Sequence, residues 1–347
     1  MNRLVFWILI LLLTILLLAA VIALINLLLW LLFRKVAEPH VIHRLWWAVD
    51  LALVLGLAGV LAYGHWVTRF GIDVNRVEVK SANLPASFDG FRIVQISDFH
   101  IDSFDAGDDD AFMDRLADTV MSLRPDIVCF TGDLVTMQAA QADPWVEKLR
   151  KFAVRVDSGT GDSQPLCYAI MGNHDYADYP RYFTPRQRIE DRRRLHHIIY
   201  NAGWQLLDNC HTVLRRGGDS ILLAGVGNIG EPPFTVYGNL QHALSQNIDS
   251  AGSGIAVPAF KILLSHNPRH WRQEVIDAGI DLMLAGHTHA MQIRIGDWSP
   301  VKYRYPEWGG LYSEGEKYLY VNTGIGCTGW RVRVGVPPEV TLIQLRR

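Results

Sequence analysis

One uninterrupted apolar run limits what this chain can become. Leu4 to Phe33 holds no charged residue and only Thr14 and Asn26 as clear polar interruptions. A helix needs about 20 such residues to cross the hydrocarbon layer of a bilayer, so the run is long enough to span. Arg34 and Lys35 end it abruptly, and a second apolar run, Leu45 to Tyr63, carries one acid, Asp50, near its start. Together they read as an N-terminal transmembrane helical hairpin, residues 1–66, with the lipid bilayer as partner and Trp46, Trp47 and Trp66 as interfacial belts. A cleaved signal peptide is the competing reading, since Ala19, Ala20 and Ala23 are small. Its apolar region normally spans only ~7–15 residues, which favours retention. Arg34, Lys35 and Arg44 in the link outnumber Arg3 ahead of the first helix, although Arg69 and Arg76 after the second dilute the contrast. The positive-inside rule therefore leans toward a cytoplasmic link and a domain outside the cytoplasm.

Residues 67–347 read as one soluble domain, long enough for a substantial core. Its apolar runs are short and alternate with amphipathic stretches. Phe91–Ser97, Ile127–Thr131, Cys167–Met171, Ile221–Val226, Lys261–Ser265 and Asp281–Ala285 are expected strands, with helices at about 108–124, 144–155, 185–202 and 270–279. That rhythm is α/β, sheet layers covered by helices. Near the end it changes to strand-like Tyr318–Thr323 and Val332–Leu345, broken by Pro337 and Pro338. With 33 basic against 35 acidic residues the net charge is −2, and no basic excess argues for nucleic acid. Cys129 and Cys167 fall in apolar runs, and no spacing of the four cysteines suggests a disulfide framework or zinc knuckle.

The chemistry-bearing residues sit just beyond the strand ends: Asp98 and His100, then Gly132-Asp133, then Gly172-Asn173-His174-Asp175, then His266, then Gly286-His287-Thr288-His289. In layered α/β domains the carboxyl ends of strands are where loops converge on a ligand crevice, so five such ends imply one shared site. Each piece alone is weak, since Gly-Asp and Gly-Asn commonly mark turns. The ordered combination points to metal. Carboxylate oxygen, imidazole nitrogen and a neutral amide oxygen suit Mn, Fe or Zn rather than calcium. Two such ions about 3.5–4 Å apart can share a carboxylate, clamp both oxygens of an in-line phosphoryl displacement and acidify a water held between them.

The same ordered residues resemble the calcineurin-like metallophosphoesterase superfamily. Ile96-Ser97-Asp98-Phe99-His100-Ile101, Ser265-His266-Asn267-Pro268 and the tail Gly335-Val336-Pro337-Pro338-Glu339-Val340-Thr341 are similar to its bacterial, membrane-associated YkuE-like branch. The resemblance covers roughly Glu78 to Leu345. It implies a four-layer α/β/β/α sandwich behind the hairpin and two divalent ions. One would take Asp98, His100, Asp133 and His289, the other Asp133, Asn173, His266 and His287. His174 would serve as the catalytic group at the phosphoryl oxygen or leaving group, oriented by Asp175. It further implies hydrolysis of a phosphodiester or pyrophosphate in a bacterial cell membrane; the anchor, holding the site near the bilayer, favours an amphiphilic, lipid-linked substrate, and UDP-2,3-diacylglucosamine is one known for the branch. A nucleotide lipid requires a cytoplasmic site, which conflicts with the charge pattern. Two departures bear on substrate fit: Ala290-Met291-Gln292 stands where the branch usually has Gly-Gly-Gln, and Asn228 where relatives often have Asp.

Other features read more plainly. The cluster Asp105, Asp108, Asp109 and Asp110 is a solvated helix start. Arg192, Arg193, Arg194, His196 and His197 form a basic helix face, solvated or facing anionic lipid. Two Gly-x-Gly-x-x-Gly matches, Gly225–Gly230 and Gly324–Gly329, lack the helix a dinucleotide site requires and read as loops. Arg331 and Arg333, just beyond the second, are candidate phosphate contacts. A metal-binding membrane scaffold without turnover is the competing function; an intact ligand set argues against it.

Overall fold

The computed structural model describes residues 20–32, 38–153, 167–230, 235–246 and 258–347. The chain divides into two compact units, Met1–Tyr63 and Gly64–Arg347.

The first unit contains helix α1 (Ala20–Leu32) and most of helix α2 (Pro39–Trp66). Among the described residues one helical segment is long and apolar enough to cross a membrane, His43–Phe70, with mean hydropathy 2.0. The first expected span, Leu4 to Phe33, lies largely outside the described residues, so a second crossing is not established. The polar interruptions of the two apolar helices meet: Asn26 Nδ2 donates to both Asp50 oxygens at 3.1 Å. An apolar helix gains by pairing such groups rather than facing them to lipid.

The second unit follows the order β1 (Asp73–Lys80), β2 (Arg92–Ile96), α3 (Asp110–Ser122), β3 (Ile127–Phe130), α4 (Val146–Arg150), β4 (Cys167–Ala169), α5 (Pro185–Asn201), β5 (Gln205–Leu206), β6 (Cys210–Arg216), β7 (Asp219–Gly225), α6 (Leu240–Ser245), β8 (Lys261–Leu264), β9 (Leu282–Ala285), β10 (Gly310–Glu314), β11 (Lys317–Val321) and β12 (Glu339–Arg346). These build two sheets, ordered β1-β12-β2-β3-β4-β5 and β10-β11-β9-β8-β7-β6. The pairs β2–β3, β3–β4, β7–β8, β8–β9 and β9–β11 are parallel, so their carboxyl ends share an edge within each sheet.

Strand alternation explains the layering. Ile93, Cys129, Tyr168, Leu223, Ile262, Leu264, Leu282, Leu284 and Ile343 form one buried cluster, drawn from both sheets. Val94, Ile96, Val128, Phe130 and Ala169, from the opposite face of the first sheet, pack with Phe112, Leu116, Val120, Leu195 and Ile198 of α3 and α5. Leu222, Leu263, Met283 and Leu319, from the other face of the second sheet, pack with Leu240, Trp271 and Val275. Three cores separate the layers, with helices outside both sheets. Helix α3 buries Phe112, Met113, Leu116, Ala117 and Val120, a stripe of helical period. Each large side chain on it contributes up to roughly 1.5–3 kcal/mol. Helix α5 starts as its sequence suggests, with Pro185 in the first turn and Thr184 and Gln187 capping each other.

Several expectations give way. The stretch 144–155 forms only a short α4 between 3-10 turns at Asp143–Trp145 and Lys151–Ala153, with residues 154 and 155 undescribed. The stretch 270–279 is a π turn, Trp271–Val275, then a 3-10 turn ended by Gly279. Strand β12 begins only at Glu339, because Pro337 and Pro338 lack amide donors and Gly335 bends the chain at φ 65°. Strands β1, β5, β6 and β10 form where none was expected; β1 is held by parallel pairing with distant β12, information that no local window carries. All four cysteines are free.

Candidate metal centre

Five chain segments bring their side chains together where the two sheets' parallel strands end. Asp98 and His100 follow β2, Asp133 follows β3, Asn173 and His174 follow β4, His266 follows β8, and His287 and His289 follow β9. The chain turns sharply after these strands. Asp98, His100, Asp133, His287 and His289 all have positive φ, between 37° and 76°. Non-glycine residues there cost on the order of 1–3 kcal/mol each, so surrounding structure must hold them. Close approach does part of that. A Cβ on Gly172 would lie 2.3 Å from Asp133 Oδ1, and one on Gly286 would lie 2.1 Å from Ser97 Oγ and 2.3 Å from Asp98 Oδ2. Only glycine fits at either place.

The donor atoms fall into overlapping triads. Ligand atoms of Asp98, His100 and His289 lie within 4.8 Å of one another, as do those of Asp133, His266 and His287, and those of His100, Asp133 and His174. His289 Nε2 is 3.1 Å from Asp98 Oδ1, His266 Nε2 is 3.1 Å from Asp133 Oδ2, and His100 Nε2 is 3.5 Å from the same oxygen. Asn173 Oδ1 lies 3.2 Å from His266 Nε2, and His287 Nδ1 lies 3.3 Å from it. Asp133 thus stands between the two sides of the cluster.

The imidazoles are oriented by their outward nitrogens. His266 Nδ1 donates to the Thr131 carbonyl at 2.7 Å and His174 Nδ1 to the Thr136 carbonyl at 2.7 Å. His100 Nδ1 meets the Thr136 hydroxyl at 3.1 Å, and that hydroxyl donates onward to Asp102. Each contact leaves the Nε2 lone pair turned inward, the arrangement that metal-binding histidines adopt. His100 Nε2 and His289 Nε2 are buried and have no hydrogen-bond partner. A buried nitrogen without a well-formed hydrogen bond is costly, and two of them facing two carboxylates fit a cation between. The residues therefore suit divalent metal.

Electrostatics among the protein groups agree. Burial alone would raise the Asp133 carboxyl, but the charge of His266 and the neighbouring imidazoles hold it well below the usual carboxylate range. For Asp98 burial is outweighed in the same way, chiefly by His289. Burial resists protonation of His266, yet Asp133 and Asp98 raise it to about 9. Burial, with His266 beside it, lowers His287 to about 3.

Two sequence assignments need correction. Asp175 does not reach the His174 ring. Its carboxylate accepts the backbone amides of Gly172 at 2.9 Å, Asp133 at 2.8 Å, Leu134 at 2.9 Å and Val135 at 3.1 Å. It clamps the Asp133 loop, and the ring of His174 is set by Thr136 instead. Burial and the charge of Asp133 raise the Asp175 carboxyl to about 7 against those amides. Arg333 is not a phosphate contact: it is wholly buried and donates to the carbonyls of Gly326, Thr323 and Val336, with Nη2 3.4 Å from His289 Nδ1. Arg331 pairs with Asp105 and the Asp102 carbonyl.

Sequence reading missed Thr136, Tyr179 and Tyr305. Tyr179 stacks on His174 with ring centres 4.1 Å apart and accepts from Asn173 Nδ2 at 2.7 Å; the Tyr305 hydroxyl is 2.8 Å from His287 Nε2. Thr136 lies three residues past Asp133, close enough to suspect; Tyr305 had no local signal. The Gly324–Gly329 loop does pass the centre, a Cβ on Gly324 falling 2.7 Å from Asp98 Cβ.

The family model for calcineurin-like phosphoesterase matches residues 91–291, which contain every residue of the cluster. Among relatives, the uncharacterized metallophosphoesterase YkuE of Bacillus subtilis is 28% identical over 84% of this chain and 92% of its own length. UDP-2,3-diacylglucosamine pyrophosphatase LpxG of Chlamydia trachomatis is 29% identical over 85% of this chain and 97% of its own. A zebrafish (Danio rerio) transmembrane protein with a metallophosphoesterase domain is 28% identical over 85% of this chain and 62% of its own.

Proposed function

This chain belongs to the calcineurin-like phosphoesterase family, and from that premise we propose that it is a membrane-anchored phosphodiesterase or pyrophosphatase acting on an amphiphilic, lipid-linked phosphate. As a family member it is a metal-dependent phosphoric ester hydrolase. In this reading residues 1–66 are the anchor, crossing the membrane twice, and 67–347 the catalytic domain. Asp98, His100, Asp133 and His289 would hold one divalent ion, and Asp133, Asn173, His266 and His287 would hold a second. The observation that carries the site is the pair of buried nitrogens, His100 Nε2 and His289 Nε2, that face the Asp133 and Asp98 carboxylates without a well-formed hydrogen bond.

When bound, such ions polarise the phosphoryl group and make the attacking water more acidic. The chain supplies the rest. Asp98 and Asp133 neutralise charge and fix spacing, while inward-turned imidazoles fix geometry. His174 keeps its Nδ1 proton on the Thr136 carbonyl, so its Nε2 is the atom available to a phosphoryl oxygen or a departing oxygen. Stacking on Tyr179 keeps that ring in place.

The lipid-linked substrate rests on the apolar segment His43–Phe70 and on the activity named for the chlamydial relative. The test uses the full-length chain in detergent with manganese, offered bis-p-nitrophenyl phosphate and UDP-2,3-diacylglucosamine. Metal-dependent cleavage of both, abolished by Asp133→Asn, is expected. Cleavage of the soluble diester alone removes the nucleotide-lipid assignment, and no cleavage of either removes the hydrolase reading of this site. A reporter fused to the C-terminus decides whether the domain faces cytoplasmic nucleotide lipids or, as the charge pattern leans, the opposite side.

A further inference from the structure

Directly after the last histidine of the cluster the chain makes an unusual loop. Ala290, Met291 and Gln292 are three consecutive left-handed residues, φ 52°, 47° and 58°, none of them glycine. The strain is held rigidly: Gln292 Nε2 donates to the carbonyls of Trp330 and Val332, its Oε1 accepts from Thr328, and Ser299 Oγ donates to the Ala290 carbonyl. Beyond it, Ile295 and Trp298 exchange backbone hydrogen bonds of 2.8 and 3.1 Å across the tight Gly296-Asp297 turn. This firmly held loop presents apolar side chains outward. Met291 is 57% exposed, Ile295 67%, Trp298 37% and Tyr303 79%. Four large exposed apolar side chains within one firmly held loop of fifteen residues mark an interaction site rather than slack chain.

Its occupant follows from charge and from location. Along the loop Arg294, Lys302 and Arg304 outnumber the single acid, Asp297, giving the basic and aromatic mixture of a surface that lies at an anionic lipid interface. The loop is also linked through one backbone segment to the end of α2. Within the second unit Arg333 N donates to the Gly64 carbonyl at 3.3 Å and His65 Nδ1 meets the Arg331 carbonyl at 2.7 Å. The same segment bonds to the loop through Val334 N to Gln292 O and Arg294 N to Val334 O, both 2.8 Å. Exposed Trp66 closes that helix. The loop's other end returns to the cluster, where Tyr305 touches His287.

We propose that the loop Ala290–Arg304 rests on the surface of an anionic phospholipid bilayer, its Met291, Ile295, Trp298 and Tyr303 side chains entering the lipid and its basic residues meeting headgroups, so that the metal centre opens toward the membrane. The inference rests on the proposed anchorage and not on the identity of the substrate.

The test reconstitutes the full-length chain, in a Cys210→Ser background because the other three cysteines are buried, into vesicles of phosphatidylcholine and phosphatidylglycerol containing doxyl-labelled lipid. A bimane is attached at Ile295→Cys, or at Arg215→Cys, exposed on β6 opposite the amino end of β7 and away from the cluster, as the control site. Diester hydrolysis retained by Ile295→Cys establishes a folded chain. Several-fold stronger lipid quenching at 295 than at 215 is expected, diminished by Arg294→Gln with Lys302→Gln. Equal quenching at the two sites overturns the proposal. So does quenching insensitive to those two substitutions, or self-quenching at 295 that dilution of the chain abolishes, which identifies a second copy as the occupant. If the chain is extracted from the vesicles by carbonate, anchorage and docking fall together. If it stays anchored and unquenched, docking alone falls.

Discussion

His100 is tied to Thr136: its Nδ1 lies 3.1 Å from the threonine hydroxyl, and that hydroxyl donates its own hydrogen bond to Asp102. With its one hydrogen engaged by Asp102, the hydroxyl can only accept from His100 Nδ1–H, which leaves His100 Nε2 as the unprotonated nitrogen facing the cluster. Replacing Thr136 by Val removes the acceptor and preserves the backbone carbonyl used by His174. Metal affinity is expected to fall about 10–100-fold, with folding stability little changed. Calorimetric titration of the metal-free protein with manganese measures it; unaltered affinity in Thr136→Val means the hydroxyl is a bystander.

Asp175 gives the opposite pattern. With four amides converging on its carboxylate, Asp175→Asn puts an NH2 against N–H donors and loses charge-assisted hydrogen bonds worth about 1.5–3 kcal/mol each. A loss of about 3 kcal/mol in unfolding free energy is expected by denaturant titration, together with weaker metal retention. A variant of unchanged stability with reduced turnover alone restores the direct catalytic role read from the sequence.

Gly286 tests the packing of the centre. A methyl at 286 must displace Ser97 or Asp98, since the two nearest oxygens would lie 2.1 and 2.3 Å away. Overpacking of this kind costs about 1–3 kcal/mol, and Asp98 is the atom group that gives. Gly286→Ala is expected to bind metal at least about tenfold more weakly while remaining folded. Retained affinity, measured by equilibrium dialysis, shows that Ser97 moves instead.

Metal binding should depend on pH through His266. Asp133 and Asp98 hold this imidazole protonated up to about 9, so at neutral pH a proton must leave before Nε2 can serve as a ligand. His287, lowered to about 3, is already neutral and contributes nothing to the dependence. Affinity is therefore expected to rise about tenfold per pH unit from 7 toward 9 and then flatten, with close to one proton released at neutral pH. Titration calorimetry in buffers of different ionisation enthalpy reads the proton directly; no release at pH 7 contradicts the coupling.

Chelation should expose how much of the fold leans on the ions. At a free metal concentration of 100 Kd, binding contributes about 2.7 kcal/mol to the folded state. Treatment with a chelator is expected to lower Tm, and added manganese to restore it, in the native chain but not in Asp133→Asn. A melting curve indifferent to metal in the native protein argues against a resident ion at this site.

The sequence by itself determined the strands that end in ligands, because buried parallel strands write themselves as short apolar runs and the residues after them carry the chemistry. Asp98, His100, Asp133, Asn173, His174, His266, His287 and His289 were all legible in that way, as was the apolar segment that ends at Trp66. What only the tertiary structure decided depends on segments far apart in the chain. Strand β1 exists because β12 pairs with it from more than 250 residues away. Asp175 looks like a partner of its neighbour His174 until the loop bearing Asp133 folds over it, and Arg333 looks free to reach a phosphate until the Gly324–Gly329 loop surrounds it with carbonyls. In one dimension the loop after His289 is marked only by Ala290-Met291-Gln292 standing where the resembling branch usually has Gly-Gly-Gln. Hydrogen bonds from the distant Trp330–Val334 segment lock three left-handed residues there and turn its apolar side chains outward. Local sequence sets what a residue can do; which partner it meets is settled by packing between elements that no window of sequence holds together.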